Sequence, residues 1–160
     1  MRRWRSPARQ SGIFPLRPAD RFVRAIGIDL GSKRIGIAVS DRSGTIASPL
    51  TVLQRSGRRN LDHQRILALV IEEQAELVVV GLPLQMDGRV GIAARGALAE
   101  VAEMTTVLGV PVETFDERLT TVTADRALME AGIRASARRQ YVDKVAAAVM
   151  LQNWLDRRHP

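Results

Sequence analysis

The sequence predicts an α/β fold on a mixed five-stranded sheet flanked by helices, and three patterns carry that prediction. Three strand-like segments follow one another before any helical periodicity begins. The run Leu77–Leu82, Leu-Val-Val-Val-Gly-Leu, is continuously apolar, as a strand covered on both faces is. From Asn60 onward, strand and helix patterns alternate, which is the mark of parallel crossovers. The sheet should therefore be antiparallel on one side and parallel on the other.

The first two strands come from Ala25–Leu30 and Ile35–Val39, joined by Gly31-Ser32-Lys33-Arg34 as a hairpin loop. Thr45–Leu53 reads as the third, after a Ser43-Gly44 turn, and Pro49 places it at an edge because it cannot donate to a ladder. A loop carrying Arg55, Arg58 and Arg59 leads to a helix over Leu61–Gln74, capped by Asn60, with Leu67, Val70, Ile71 and Gln74 along one side. Leu77–Leu82 is the fourth strand, followed by the loop Pro83–Gly91. A helix over Ile92–Leu108 repeats apolar positions at Ala94, Leu98, Val101, Thr105 and Leu108 and ends at Gly109. Pro111–Phe115 is the fifth strand. A helix from Thr121 or Thr123 to Gly132, a basic loop over 133–140 and a last helix to about Arg157 complete the chain.

At 160 residues the length suits one folded domain over 25–160 with a full core. Met1–Arg24 holds three prolines and seven Arg against the single acid Asp20, with no usable periodicity, and is expected to be a disordered basic extension. The remaining residues carry 17 basic and 16 acidic groups, so nucleic-acid binding has to come from local clusters. There is no cysteine, which excludes disulfides, thiolate zinc sites and a cysteine nucleophile. No apolar run has the length of a membrane span, so the expected location is the cytoplasm.

Three carboxylates stand out. Asp29 ends an apolar strand between Gly27 and Gly31, where burial is costly unless the charge is paired or binds a metal. Asp116-Glu117 follows the fifth strand, at the carboxyl edge where ligands collect in such sheets. Asp143 shares a helix side with Ala147, Met150 and Trp154, and packing that apolar side on the sheet brings it to the same edge. Converging carboxylates repel unless a divalent cation neutralises them, and oxygen-only ligands select Mg²⁺ or Mn²⁺.

Four blocks in order make the pattern specific: Gly27-Ile-Asp-Leu-Gly-Ser-Lys-Arg-Ile-Gly-Ile-Ala, Val80-Gly-Leu-Pro-Leu-Gln-Met-Asp-Gly, Asp116-Glu-Arg-Leu-Thr-Thr, and Val142-Asp-Lys-Val-Ala-Ala-Ala-Val-Met-Leu-Gln. Over roughly residues 25–157 the chain resembles the YqgF/RuvX family of candidate Holliday junction resolvases, also described as pre-16S rRNA processing nucleases, with a ribonuclease H-like fold. Gln85 stands where family members often have Asn. The resemblance implies that Asp29, Glu117 and Asp143 form a metal-binding catalytic triad holding two Mg²⁺ or Mn²⁺ ions. Phosphodiester hydrolysis fits such a site. Lys33, Arg34, Arg118, Arg134, Arg138 and Arg139 are then candidates for holding the nucleic-acid backbone, with Gly31, Thr120 and Thr121 in support. The implied partners are precursor 16S rRNA, whose 5′ end would be processed, or branched DNA, with ribosomal particles as a further partner; the chain would act as a monomer or a homodimer. Two other classes compete. An actin-like ATPase would need a second glycine-rich phosphate loop and a second lobe. A non-catalytic RNA- or ribosome-binding module would need stacking surfaces, and only six aromatic residues are present.

Overall fold

The computed structural model describes residues 23–118, Gly132 and 135–158, with the side chains of 135–143 excepted. Five strands form one mixed sheet: β1 (Ala25–Leu30), β2 (Arg34–Ser40), β3 (Ala47–Gln54), β4 (Leu77–Leu82) and β5 (Val112–Asp116). Their order is β3-β2-β1-β4-β5, with β1–β2 and β2–β3 antiparallel and β1–β4 and β4–β5 parallel. This is the mixed sheet the sequence predicts, in a ribonuclease H-like arrangement. Pro49 lies on the edge strand, beside the irregularity between Ile37 and Ala38, where its missing N–H costs no regular ladder bond.

Alternation along the strands separates two cores. Ile26 and Ile28 of β1, Ile35 and Ile37 of β2, and Val78 and Val80 of β4 face helices α1 (Arg59–Glu72) and α2 (Ile92–Val107), meeting Ile66, Val70, Met104 and Leu108. Ala25, Ala38, Leu77 and Val79 face the long helix α3 (Ala135–Arg158), meeting Ala147, Ala148, Met150, Leu151, Trp154 and Leu155. The α3 side is built from small residues. A Cβ added to Gly27 would lie 2.8 Å from Leu151 Cβ and 3.2 Å from the Ala147 carbonyl oxygen, so the helix backbone rides close to β1 because Gly27 has no side chain. The carboxyl half of α3 is fixed at the far end of the sheet. There Gln152 accepts from the Ala47 N–H at 2.8 Å and Trp154 Nε1 donates to Glu113 at 3.1 Å.

Several boundaries differ from expectation. Val23 is buried and Arg24 donates to the Glu73 backbone oxygen at 2.5 Å and the Ser40 carbonyl at 2.8 Å, so the packed body starts two residues before Ala25. Residues 1–22, expected to be a disordered extension, lie outside the described residues. Helix α1 begins at Arg59, with Arg58 rather than Asn60 at its cap and no side-chain cap bond. Its buried positions are Asp62, His63, Ile66 and Val70, whereas Ile71 is exposed. The segment read as a basic loop over 133–140 is helical from Ala135, which places Arg138 and Arg139 in the first turns of α3. The helix expected from Thr121 or Thr123 lies outside the described residues.

Candidate active site

Asp29 is the penultimate residue of β1, opposite Gly36 of β2, and follows Ala25 and Gly27 on the α3 side of the sheet. The turn after it is tight. The Gly31 N–H donates to the Asp29 carbonyl at 3.2 Å, and a Cβ at Gly31 would stand 2.5 Å from the Arg34 carbonyl oxygen. Arg55 clamps the same loop. Its backbone N–H donates to the Lys33 carbonyl at 2.9 Å and its Nε to the Gly31 carbonyl at 3.0 Å. Ser32 and Lys33 are exposed at the tip, and Arg34 is half-buried.

Glu117 follows β5 directly, with its N–H donating to the Leu82 carbonyl at 3.3 Å. Its carboxylate lies over Gly81 of β4, in the space that a Cβ at that position would fill. The register explains the contact: Gly81 pairs with Phe115, so Glu117, two residues on, leans back across the end of β4. Burial, then the neighbouring Asp29 charge and then Asp116 together raise the Glu117 carboxyl to about 7. An acid held away from water beside another acid leaves negative charge that a cation can neutralise.

Asp143 belongs to α3, one turn before Ala147, whose carbonyl lies over Gly27. Because the carboxyl half of α3 is anchored at the opposite end, that turn runs toward the edge where β1 ends at Asp29–Leu30. Backbone placement therefore sets Asp143 on the same face and at the same edge as Asp29; its side chain is outside the described residues. Among the described residues no group of three metal-ligating side chains is assembled, since only two of the three acids are described in full. Those two fit a hard divalent cation. They offer oxygen donors alone, and their mutual repulsion and partial burial are what such an ion relieves.

The basic candidates divide. Lys33 and Arg34 lie on the loop beside Asp29. Arg118 is exposed, but its Nε donates to Asp116 at 2.7 Å and its Nη1 to the Met86 carbonyl at 3.4 Å, so it braces the β4–α2 loop as well as lying beside Glu117. Arg138 and Arg139 sit on α3 upstream of Asp143, with side chains outside the described residues, as are Thr120, Thr121 and Arg134 altogether. Sequence reasoning missed Gly81, whose contact depends on strand register. It also missed Glu100, a buried acid on α2 paired with Arg55 and His63.

Comparison with known proteins places the chain in a family. A family profile described as RuvX, Holliday junction resolvase, matches residues 23–157. A Mycobacterium sp. (strain KMS) protein is 47% identical over 137 residues, covering 84% of this chain and 80% of the relative, and its name designates a candidate pre-16S rRNA nuclease. A Mycobacterium ulcerans (strain Agy99) protein of the same designation is 43% identical, covering 96% of this chain and 91% of its own. Among solved structures, T. thermophilus RuvC in complex with a Holliday junction substrate superposes with a TM-score of 0.54 at 22% identity, covering 86% of this chain and 96% of that one, a likeness of fold.

Proposed function

This chain belongs to the RuvX family, and from that membership we propose that it is a nuclease hydrolysing phosphodiester bonds, with Asp29, Glu117 and Asp143 as the acids that hold a divalent cation. The observation that carries the reading is the Glu117 carboxylate, folded over Gly81 toward Asp29 and pushed up to about 7. Carboxyls forced together at the carboxyl edge of a sheet are poorly explained as structural groups, since removing either would relieve repulsion. Mg²⁺ or Mn²⁺, when bound, supplies an activated water and offsets charge on the attacked phosphate. The chain's own residues do the rest. Asp29 and Glu117 present oxygens from a rigid strand and from the residue after one, and Asp143 joins them from α3. Lys33 and Arg34 project from the clamped loop beside Asp29, where a flanking phosphate would lie. Arg55 fixes that loop without touching the substrate at the acids.

The substrate is the phosphate backbone of a nucleic acid. Precursor 16S rRNA is the first reading, from the relatives' names; a four-way DNA junction is the second, from the family description. Both are tested together. Purified protein is incubated with a precursor 16S rRNA 5′ segment and with a synthetic junction, in Mg²⁺, in Mn²⁺ and in excess chelator. Cleavage of at least one substrate is expected with metal and none with chelator, and Asp29→Asn should remove it while leaving the fold intact. Full activity in chelator overturns the metal assignment. An Asp29→Asn variant that still cleaves overturns the site.

A further inference from the structure

The edge of the sheet that carries Asp29 also borders a cleft of about 260 Å³ on the opposite face, between the β1–β2 loop, Pro83 and one side of α2. Ala93, Gly96 and Ala97 give it a small, flat wall. Its inner end is a buried polar network. Glu100, 4% exposed, accepts from Arg55 Nη1 at 2.8 Å and meets His63 Nε2 at 3.1 Å, both through Oε1. Glu100 Oε2 has no hydrogen-bond partner among the described residues, yet it is not sealed from solvent: it opens on the cleft that Glu100 lines. Arg55 is similar, with Nε on the Gly31 carbonyl, Nη1 on Glu100, and no partner for Nη2 among the described residues. The bonded pair Arg55 and Glu100 thus brings donor and acceptor groups to one cleft with an apolar wall.

We propose that this cleft receives one unpaired nucleobase of the substrate strand, placing an N–H of its pairing edge on Glu100 Oε2 and the adjacent acceptor, a ring nitrogen or a carbonyl oxygen, on Arg55 Nη2. The charge balance selects a base over a phosphate. Arg55 is offset by Glu100 and Arg59 by Glu103 at 2.9 Å, so the slot is close to neutral. Each common base presents an N–H beside an acceptor on its pairing edge, and in a duplex that edge is already used. The cleft therefore distinguishes unpaired from paired nucleotides without reading sequence, as proteins that bind splayed-out bases do. Leu30 and Gly31 lie between it and Asp29, so one strand crossing the sheet edge can engage both. The inference extends the nuclease reading to the form of nucleic acid that the enzyme takes.

Uncharged nucleosides isolate the base from the phosphate, and the measurement runs in chelator, so it does not depend on cleavage. Uridine titrated into the full chain should shift the amide resonances of Ser32, Gly96 and Ala97. 3-Methyluridine, which lacks the N–H, should bind about tenfold more weakly. Gly96→Phe fills the slot from a position whose Cβ would meet no atom within 4 Å, so the fold is kept and uridine binding should fall at least as far. An oligouridine should bind more tightly than uridine and lose that gain in Gly96→Phe. Equal binding of uridine and 3-methyluridine, or undiminished shifts in Gly96→Phe, overturns the site. Equal affinity of nucleoside and oligouridine overturns its assignment to a strand. If nucleosides bind as expected but no nucleic acid is cleaved, the nuclease reading fails and this one stands.

Discussion

Glu117→Gln should make the metal-free protein more stable at neutral pH and leave it nearly unchanged in acid. In the native chain the carboxyl sits at about 7, against 4.5 for the free side chain, because burial and Asp29 disfavour its charge. The folded state therefore holds a proton that the unfolded chain releases between those values. Stability is fully present below 4.5 and is lost as pH rises through about 7. A shift of this size corresponds to about 3 kcal/mol, of which roughly 2.5 kcal/mol develops between pH 5 and pH 8. Glutamine keeps the shape and never ionises, so the variant lacks this loss. For a chain of this length, its thermal midpoint relative to native should rise by roughly 5–10 °C on going from about pH 5 to about pH 8. Calorimetry of both proteins in chelator at the two pH values gives the comparison, and the other titrating groups cancel in the difference. Saturating Mg²⁺ should reverse the order, since a cation bound only by the native acids stabilises the native chain by mass action. A stability difference that does not change with pH would refute the burial-and-repulsion account of Glu117.

Three further outcomes follow from the packing around the acids. Gly81→Ala places a methyl group where the Glu117 carboxylate lies; because that carboxylate is a mobile chain end, the melting temperature should hardly change while cleavage falls roughly a hundredfold. Gly27→Leu forces α3 away from β1, where Leu151 Cβ is 2.8 Å from the new Cβ, and should destabilise the fold by about 1–3 kcal/mol in denaturant unfolding. Replacing Arg138 and Arg139 together by Ala should flatten the salt dependence of nucleic-acid binding by roughly two units. A chain lacking residues 1–21 is the control, and if that deletion alone abolishes the slope, the α3 arginines do not hold the backbone.

How much of this was legible in the sequence depended on whether the signal was local. Asp29 could be found because a carboxylate ending an apolar strand between glycines conflicts with its surroundings. The four strands other than β3 were placed within one residue because runs of branched apolar residues bounded by turns leave little choice. Helix phase was harder. The apolar pattern of α2 includes Ala94, Val101 and Leu108, which do pack, but also Leu98, which is 39% exposed, and it passes over the buried Ala97, Glu100 and Met104. A buried glutamate reads as a surface residue until Arg55 and His63, from other segments, are brought to it. The start of α3 was read as a loop because Arg134, Arg138 and Arg139 lie within six residues and interrupt the apolar periodicity. Gly81 gave no local sign at all, because its partner is set by the pairing of β4 with β5.

The close seat of α3 on β1 also bears on when the enzyme can become active. The Ala47–Gln152 bond, made on the same side of the sheet, joins residues 105 apart, and the residues over Gly27 lie equally late in the chain. During synthesis from the amino terminus, β1 to β5 and the two helices behind them emerge first. Until the last helix leaves the ribosome, Ala25, Ala38, Leu77 and Val79 have no cover, and Asp29 and Glu117 face each other without the segment that carries Asp143. Covering of this core face and arrival of the segment that carries Asp143 are thus one event, the docking of α3. A chain cut short before α3 would leave that apolar face bare and lack the segment that carries Asp143.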